Sequence, residues 1–308
     1  MKKEDHQPLR LDSLSDAHRL FGLPQPKHPL ISVINGAQML VPEHQLPGRH
    51  VLAYYKISYK PKLAGRLRYG QGYYDFDEGG LLFAAPGQII GGNDHDGAVC
   101  SQYTLLIHPD FFLGYPLAKK IKQYGFFSYS TNETLHLSEE EKNTILAIFS
   151  FIETELHSRI DDFSQDVMVS QIDLLLSYAN RFYKRQFLTR KAASTDVLAK
   201  LEDILDNYFK NELPLRKGIP TVAWLAEQLH LSPNYLSDML RTLTGRSAQQ
   251  HIHDRLIEQA KEKLSTTDLS VSEIAYELGF EHSQSFSKLF KTKTQLSPLE
   301  FRKSFSNN

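Results

Sequence analysis

Apolar positions along the chain change their period twice. In the first part they fall in short runs: HVLAYYKISY at 50–59, LLFAA at 81–85 and QYTLLI at 102–107. Turn signals stand between them at Leu46-Pro47-Gly48, Asp77-Glu78-Gly79-Gly80, Pro86-Gly87, Gly91-Gly92-Asn93 and Asp96-Gly97. Many short strands punctuated in this way predict a β-sandwich or barrel over 1–137. At Ser138 the period becomes helical. Ser138 with Glu141 forms a capping box, and Ile145, Ile148, Phe149, Ile152 and Leu156 follow at helical spacing. Met168, Ile172, Leu175, Ala179 and Phe182 mark a second helix. This pair needs a covering surface: each other, the strands, or a second copy of the chain. RKAASTD at 190–196 reads as a linker, and from Val197 onward the pattern predicts short helices.

Those helices contain a repeat. TVAWLAEQLHLSPNYLSDMLRTLTGRSAQQHI at 221–252 matches SVSEIAYELGFEHSQSFSKLFKTKTQLSPLEFR at 270–302. Val222, Ala226 and Leu229 match Val271, Ala275 and Leu278 at an offset of 49. After the turn the offset is 50, pairing Leu236 with Phe286, Leu240 with Phe290 and Ser247 with Ser297. One unit is written twice. Each unit reads as a short helix, a tight turn and a second helix. Ser232-Pro233 supplies an N-cap and a first-turn proline. Ser270 with Glu273, Ser247 with Gln250, and Ser297 with Glu300 are further capping boxes. Ala226 and Ala275 are small where the helices of each unit must cross.

The second helix of each unit has two faces. Phe286, Leu289 and Phe290 gather on one side; Gln284, Ser287, Lys288 and Lys291 fall opposite. In the first unit Leu236, Met239, Leu240 and Leu243 are inside, while Asn234, Ser237, Asp238 and Arg241 are outside at equivalent angles. Amides, hydroxyls and cations on an exposed helix are the groups that hydrogen-bond base edges. A helix-turn-helix places such a helix in the major groove. A plain solvated hairpin would also be polar outside; the duplicated face argues for double-stranded DNA.

Composition narrows the setting. The 308 residues suit two domains, and 41% hydrophobic content suffices for packed cores. Net charge is −1, so DNA binding must rest on local patches. No run of 18 apolar residues predicts a spanning helix, and the start MKKEDHQPLRLDSLSD lacks the apolar core of a secretory signal. Cys100 alone cannot form an internal disulfide, which fits the cytoplasm, and it reads as a small buried strand residue.

The repeat resembles the AraC/XylS family of bacterial transcription regulators over about 221–302. Ile274-Ala275, Leu278-Gly279-Phe280, Phe286-Ser287, Phe290-Lys291, Ser297-Pro298 and Phe301-Arg302 carry the resemblance. It implies two helix-turn-helix units joined by a long helix, here 248–265, reading successive major-groove segments. Carried over by position, the base-facing residues are Asn234, Ser237, Asp238 and Arg241, then Ser283, Gln284, Ser287 and Lys288. Arg246 and Lys291 are the expected phosphate contacts. Two departures stand out. Gln295 replaces the usual helix-ending glycine, a role Gly245 keeps in the first unit, and Asp238 stands where a cation is common. GYYDFDEGGLLFAAPGQ at 72–88 and LIHPDFF at 106–112 resemble the family's cupin-type effector domain. RNA polymerase is a further partner this reading admits.

Other chemistry is sparse. Glu43, His44, His50, His95 and His108 are the candidate metal ligands of a cupin barrel, but no H-x-H pair occurs among them. His251 and His253 lie on the joining helix, where side chains two apart diverge. No phosphate loop, nucleophile elbow or paired-cysteine motif appears, so neither a cofactor nor an enzyme activity is expected. Tyr54, Tyr55, Tyr59, Tyr69, Tyr73, Tyr74 and Phe76 read mostly as core, with some available to line a ligand pocket. The expectation is an α+β protein: a cupin-like effector-binding barrel at 1–137, a dimerising helical pair at 138–190 using Ile148 and Ile152, and an all-α double helix-turn-helix domain at 196–308. A barrel that only dimerises, or a cupin enzyme with an accessory helical domain, are the alternatives.

Overall fold

A computed structural model describes residues 8–39, 50–62, 79–90, 101–130, 133–159, 161–189, 191–211 and 213–306. The chain forms two compact units, Met1–Thr189 and Arg190–Asn308.

The first unit is mixed α and β. Its strands are β1 (Leu9–Leu11), β2 (Ile31–Asn35), β3 (His50–Leu52), β4 (Tyr55–Lys60), β5 (Gly80–Ala84), β6 (Ile89–Ile90), β7 (Tyr103–Ile107) and β8 (Leu135–His136). They form a three-stranded sheet in the order β1-β3-β6 and a five-stranded sheet in the order β2-β7-β4-β5-β8. No closed barrel is present among the described residues. β1 and β3 run parallel, and every other pairing is antiparallel. In β4 and β7 the buried polar positions meet, Ser58 Oγ lying 3.1 Å from Thr104 Oγ1. Helix α1 (Leu14–Leu20) is opened by a Ser13–Asp16 capping box and buries Leu14 and Ala17 against Leu52, Tyr54 and Leu106. A short helix α2 (Leu117–Lys120) follows β7.

Helices α3 (Glu139–His157) and α4 (Ser164–Thr189) complete this unit. The Ser138–Glu141 capping box forms as its sequence predicts. Their apolar faces are covered by each other and by the strands. Phe149 stacks on Tyr103, and Tyr183 on Phe126, at centroid distances of 5.7 and 5.5 Å. Gln186 closes the exposed edge of β8: His136 N–H donates to its Oε1 at 2.8 Å, and its Nε2 donates to Thr134 O at 3.2 Å. Arg185 adds a hydrogen bond to His136 O and an ion pair to Glu141. Ile148 and Ile152, expected as dimer contacts, are buried in this intra-chain core. Helical periodicity reveals that a face is apolar, but not what covers it.

The second unit is all helix. α5 (Lys191–Lys210) and α6 (Leu213–Lys217) precede two repeated pairs, α7 (Val222–Gln228) with α8 (Pro233–Thr244) and α10 (Val271–Glu277) with α11 (Ser283–Thr294). The helix α9 (Ala248–Thr266) joins them and α12 (Pro298–Ser306) follows. Residues 191–196 of the stretch read as a linker are instead the first turns of α5, and Arg190 lies outside the described residues. Lys and Ala are strong helix formers, so this polar segment winds without an apolar stripe. The joining helix was expected at 248–265 and ends one residue later. All the predicted caps of this unit form, including the reciprocal Ser297–Glu300 pair. Arg302 ties α12 to the end of α9, donating to Leu264 O at 3.3 Å and Leu269 O at 2.6 Å.

Candidate nucleic-acid interface

Each repeated unit is built around one buried alanine. Ala226 and Ala275 are both fully buried, which lets the paired helices approach closely. In the second unit Ile274, Leu278, Phe280, Phe286 and Phe290 fill the core together with Leu256, Ala260 and Leu264 of α9 and Phe209 of α5. Each such side chain removed from water stabilises the fold by about 1.5–3 kcal/mol. Burial of one face of α8 and α11 by this route fixes which residues turn outward.

The turn between the paired helices needs one residue in the left-handed region. In the first unit it is His230 at φ 55°, in the second Gly279 at φ 88°. The end of each second helix needs another: Gly245 at φ 74° and Gln295 at φ 64°. Each unit therefore uses one glycine and one side-chain-bearing residue at its two left-handed positions, in opposite order. Gly279 also meets another backbone. A Cβ there would stand 2.7 Å from the carbonyl carbon of Gly218, whose oxygen accepts from Tyr208 Oη at 2.9 Å.

The predicted outward faces are outward. On α11, Gln284, Lys288 and Lys291 are exposed, while Ser283 and Ser287 are partly exposed. On α8, Asn234 and Arg241 are exposed and Ser237 and Asp238 partly so. Inside, Phe286, Phe290, Leu236, Met239 and Leu240 are buried; Leu243 is only half-buried, and Tyr235 joins the core. Asp238 is engaged within its own helix, accepting from Arg241 Nη1 at 2.7 Å. The two outward faces thus differ electrostatically. The α11 face presents the exposed lysines Lys288 and Lys291, whereas the α8 face pairs its cation with an acid one turn away.

Arg246 is exposed beside Gly245 and donates to Asp254 of α9 at 3.1 Å. Asp254 also accepts from Lys293, in the last turn of α11, at 2.8 Å. Neither Asp254 nor Lys293 is evident as a site residue in sequence, because the contact spans 39 positions. His251 and His253 do not converge. His251 Nε2 lies 2.9 Å from Thr244 Oγ1, and His253 Nε2 lies 2.8 Å from Gln249 Nε2. Burial holds both imidazoles below their usual pKa.

In the first unit, Glu43, His44, His95, Tyr69, Tyr73, Tyr74, Phe76 and Cys100 lie outside the described residues. Among the described residues no group of three or more His, Cys, Asp or Glu side chains converges as metal ligands, and no helix is long and apolar enough to cross a membrane. Tyr54, Tyr55 and Tyr59 are buried. The Tyr54 hydroxyl has no hydrogen-bond partner among the described residues, and burial, aided by the charge of Asp16, pushes its pKa up.

A helix-turn-helix domain family matches residues 225–304. Over 131 residues, the chain is 28% identical to the HTH-type transcriptional regulator YijO of Escherichia coli, covering 42% of this chain and 44% of that protein. It is 38% identical over 81 residues to the arabinose operon regulatory protein of the same organism, covering 26% and 28% of the two chains. It is also 38% identical over 84 residues to the raffinose operon regulatory protein RafR of Pediococcus pentosaceus, covering 27% and 30%. The chain spans less than half the length of each of these relatives. Among solved structures, the C-terminal domain of the response regulator yesN from Fusobacterium nucleatum is 32% identical. That match covers 33% of this chain and 96% of that one, at a TM-score of 0.29.

Proposed function

We propose that the chain, whose residues 225–304 form a helix-turn-helix domain of AraC type, is a sequence-specific regulator of transcription rather than an enzyme. The observation that carries this reading is the duplicated helix pair with an equivalent polar face in each copy. In this reading Asn234, Ser237, Asp238 and Arg241 of α8 and Ser283, Gln284, Ser287 and Lys288 of α11 meet base edges. Arg246 and Lys291 meet phosphate. The units act from the cytoplasm on duplex DNA, with RNA polymerase as the downstream partner. Selection of bound sequences from random duplex DNA tests this directly. Enrichment of a two-part site is the expected result; recovery of unenriched sequence would overturn it.

The first unit is read as a cupin-like sensory domain for a small polar molecule. The buried Tyr54 hydroxyl, without a hydrogen-bond partner among the described residues, supports this. An unsatisfied buried donor costs about 1–3 kcal/mol, and a ligand accepting its proton would recover part of that. A second copy of the chain is the other expected partner. Val167, Leu174 and Leu188 stand exposed at multiples of seven residues along α4, with Phe163 just before it. This stripe, not Ile148 or Ile152, is the face available to a dimer. If the first unit only dimerises, the stripe keeps its role and no metabolite stabilises the protein.

A further inference from the structure

The joining helix carries an acid where a DNA-facing surface gains nothing from one. Asp254 accepts from Arg246 and from Lys293 at 3.1 and 2.8 Å, so a single carboxylate holds the ends of both reading helices. Arg246 is 62% exposed, and Lys293 and Asp254 are each 29% exposed. Open pairs of this kind add little to folding stability. They are also easily exchanged, because a phosphodiester oxygen is an anionic acceptor of the same kind as a carboxylate oxygen. We propose that Asp254 is a built-in phosphate surrogate: it occupies Arg246 and Lys293 in the free protein, and the DNA backbone must displace it to bind.

The proposal rests on the reading of the domain as a DNA binder and adds a determinant that touches no base. Counting ions gives its effect. A phosphate that captures Arg246 or Lys293 releases a condensed cation, but the abandoned carboxylate recruits one back. Net release falls by about one ion. Asp254 therefore weakens the grip on all duplexes alike and leaves base preference untouched.

The test uses the full chain, the duplex recovered by selection and a scrambled duplex, over a range of salt. Asp254→Asn should tighten binding to both duplexes by about 3–10-fold and steepen the salt slope by about one ion. Asp254→Glu, which keeps the charge, should bind as the wild type does. In an Arg246→Gln/Lys293→Gln background the Asn substitution should have no effect. Unchanged affinity in Asp254→Asn would overturn the proposal. So would weaker operator binding with altered base preference, the mark of a purely structural tie. Tightening that persists without Arg246 and Lys293 would reduce the effect to distant charge and would also overturn it. A wild-type protein that binds no duplex at low salt removes the DNA-binding reading itself; one that binds while Asp254→Asn changes nothing removes only the surrogate.

Discussion

At the scale of the residue, four left-handed positions govern the repeat. His230 is exposed and at φ 55°, so its side chain gains no burial to offset the strain. The left-handed conformation costs a non-glycine residue about 1–2 kcal/mol, part of which glycine returns in chain entropy. His230→Gly and Gln295→Gly should each raise stability by about 0.5–1 kcal/mol in thermal unfolding. Lower melting temperatures for both would refute this. Gly279→Ala should do the opposite. Its Cβ would collide with the Gly218 backbone as well as being strained, and a loss of about 2–4 kcal/mol is expected in denaturant unfolding. Tyr54→Phe removes a hydroxyl with no partner among the described residues. It should leave stability unchanged or raised by about 1 kcal/mol in calorimetry, whereas clear destabilisation would mean that the hydroxyl is bonded.

At the scale of the element, the roles proposed for α11 can be separated by substitution. If its face reads bases, Gln284→Ala and Lys288→Ala should each lose about 1–3 kcal/mol of specific binding and relax preference at particular base pairs. Lys291→Ala should weaken all sequences and lower the salt slope by about one ion. Phe290→Ala should instead unfold the helix pair, at about 3–5 kcal/mol. Operator and scrambled binding with unchanged affinity and preference in the first two variants would leave a merely solvated face. Most of the helical unit was legible in sequence, because caps and apolar spacing are local properties. Ser247, Ser270 and Ser297 each announce a helix start three residues before the partner that closes the box. The first turns of α5 were not legible: KAASTD at 191–196 has no apolar period, and its helicity comes from propensity and its continuation into 197–210. The Asp254 tie was also hidden, since nothing in the local sequence links α9 to the end of α11.

At the scale of the whole molecule, the assembly prediction depends on which side of the helical pair faces outward. Ile148→Asp places a charge in the interior of the first unit and should unfold it, as judged by circular dichroism. Leu174→Asp alters an exposed position of α4 and should leave the fold intact while converting a dimer to a monomer in sedimentation. A wild-type chain that sediments as a folded monomer at micromolar concentration would refute the dimer. The runs at 81–85 and 102–107 were read correctly as strands, whereas 50–59 divides into β3 and β4 of separate sheets, and closure into a barrel was not a property of any one run. Strand pairing is a long-range choice, and the observed orders β1-β3-β6 and β2-β7-β4-β5-β8 depend on partners far along the chain.

The carboxylate shared by Arg246 and Lys293 also bears on time. A tethered competitor is present at high effective concentration whenever a phosphate contact breaks. If Arg246 and Lys293 hold phosphate in the DNA complex, the acid would recapture a freed cation before the backbone could return. A chain with this acid should leave its sites faster than one without it, and a change in signal would then reach the promoter sooner.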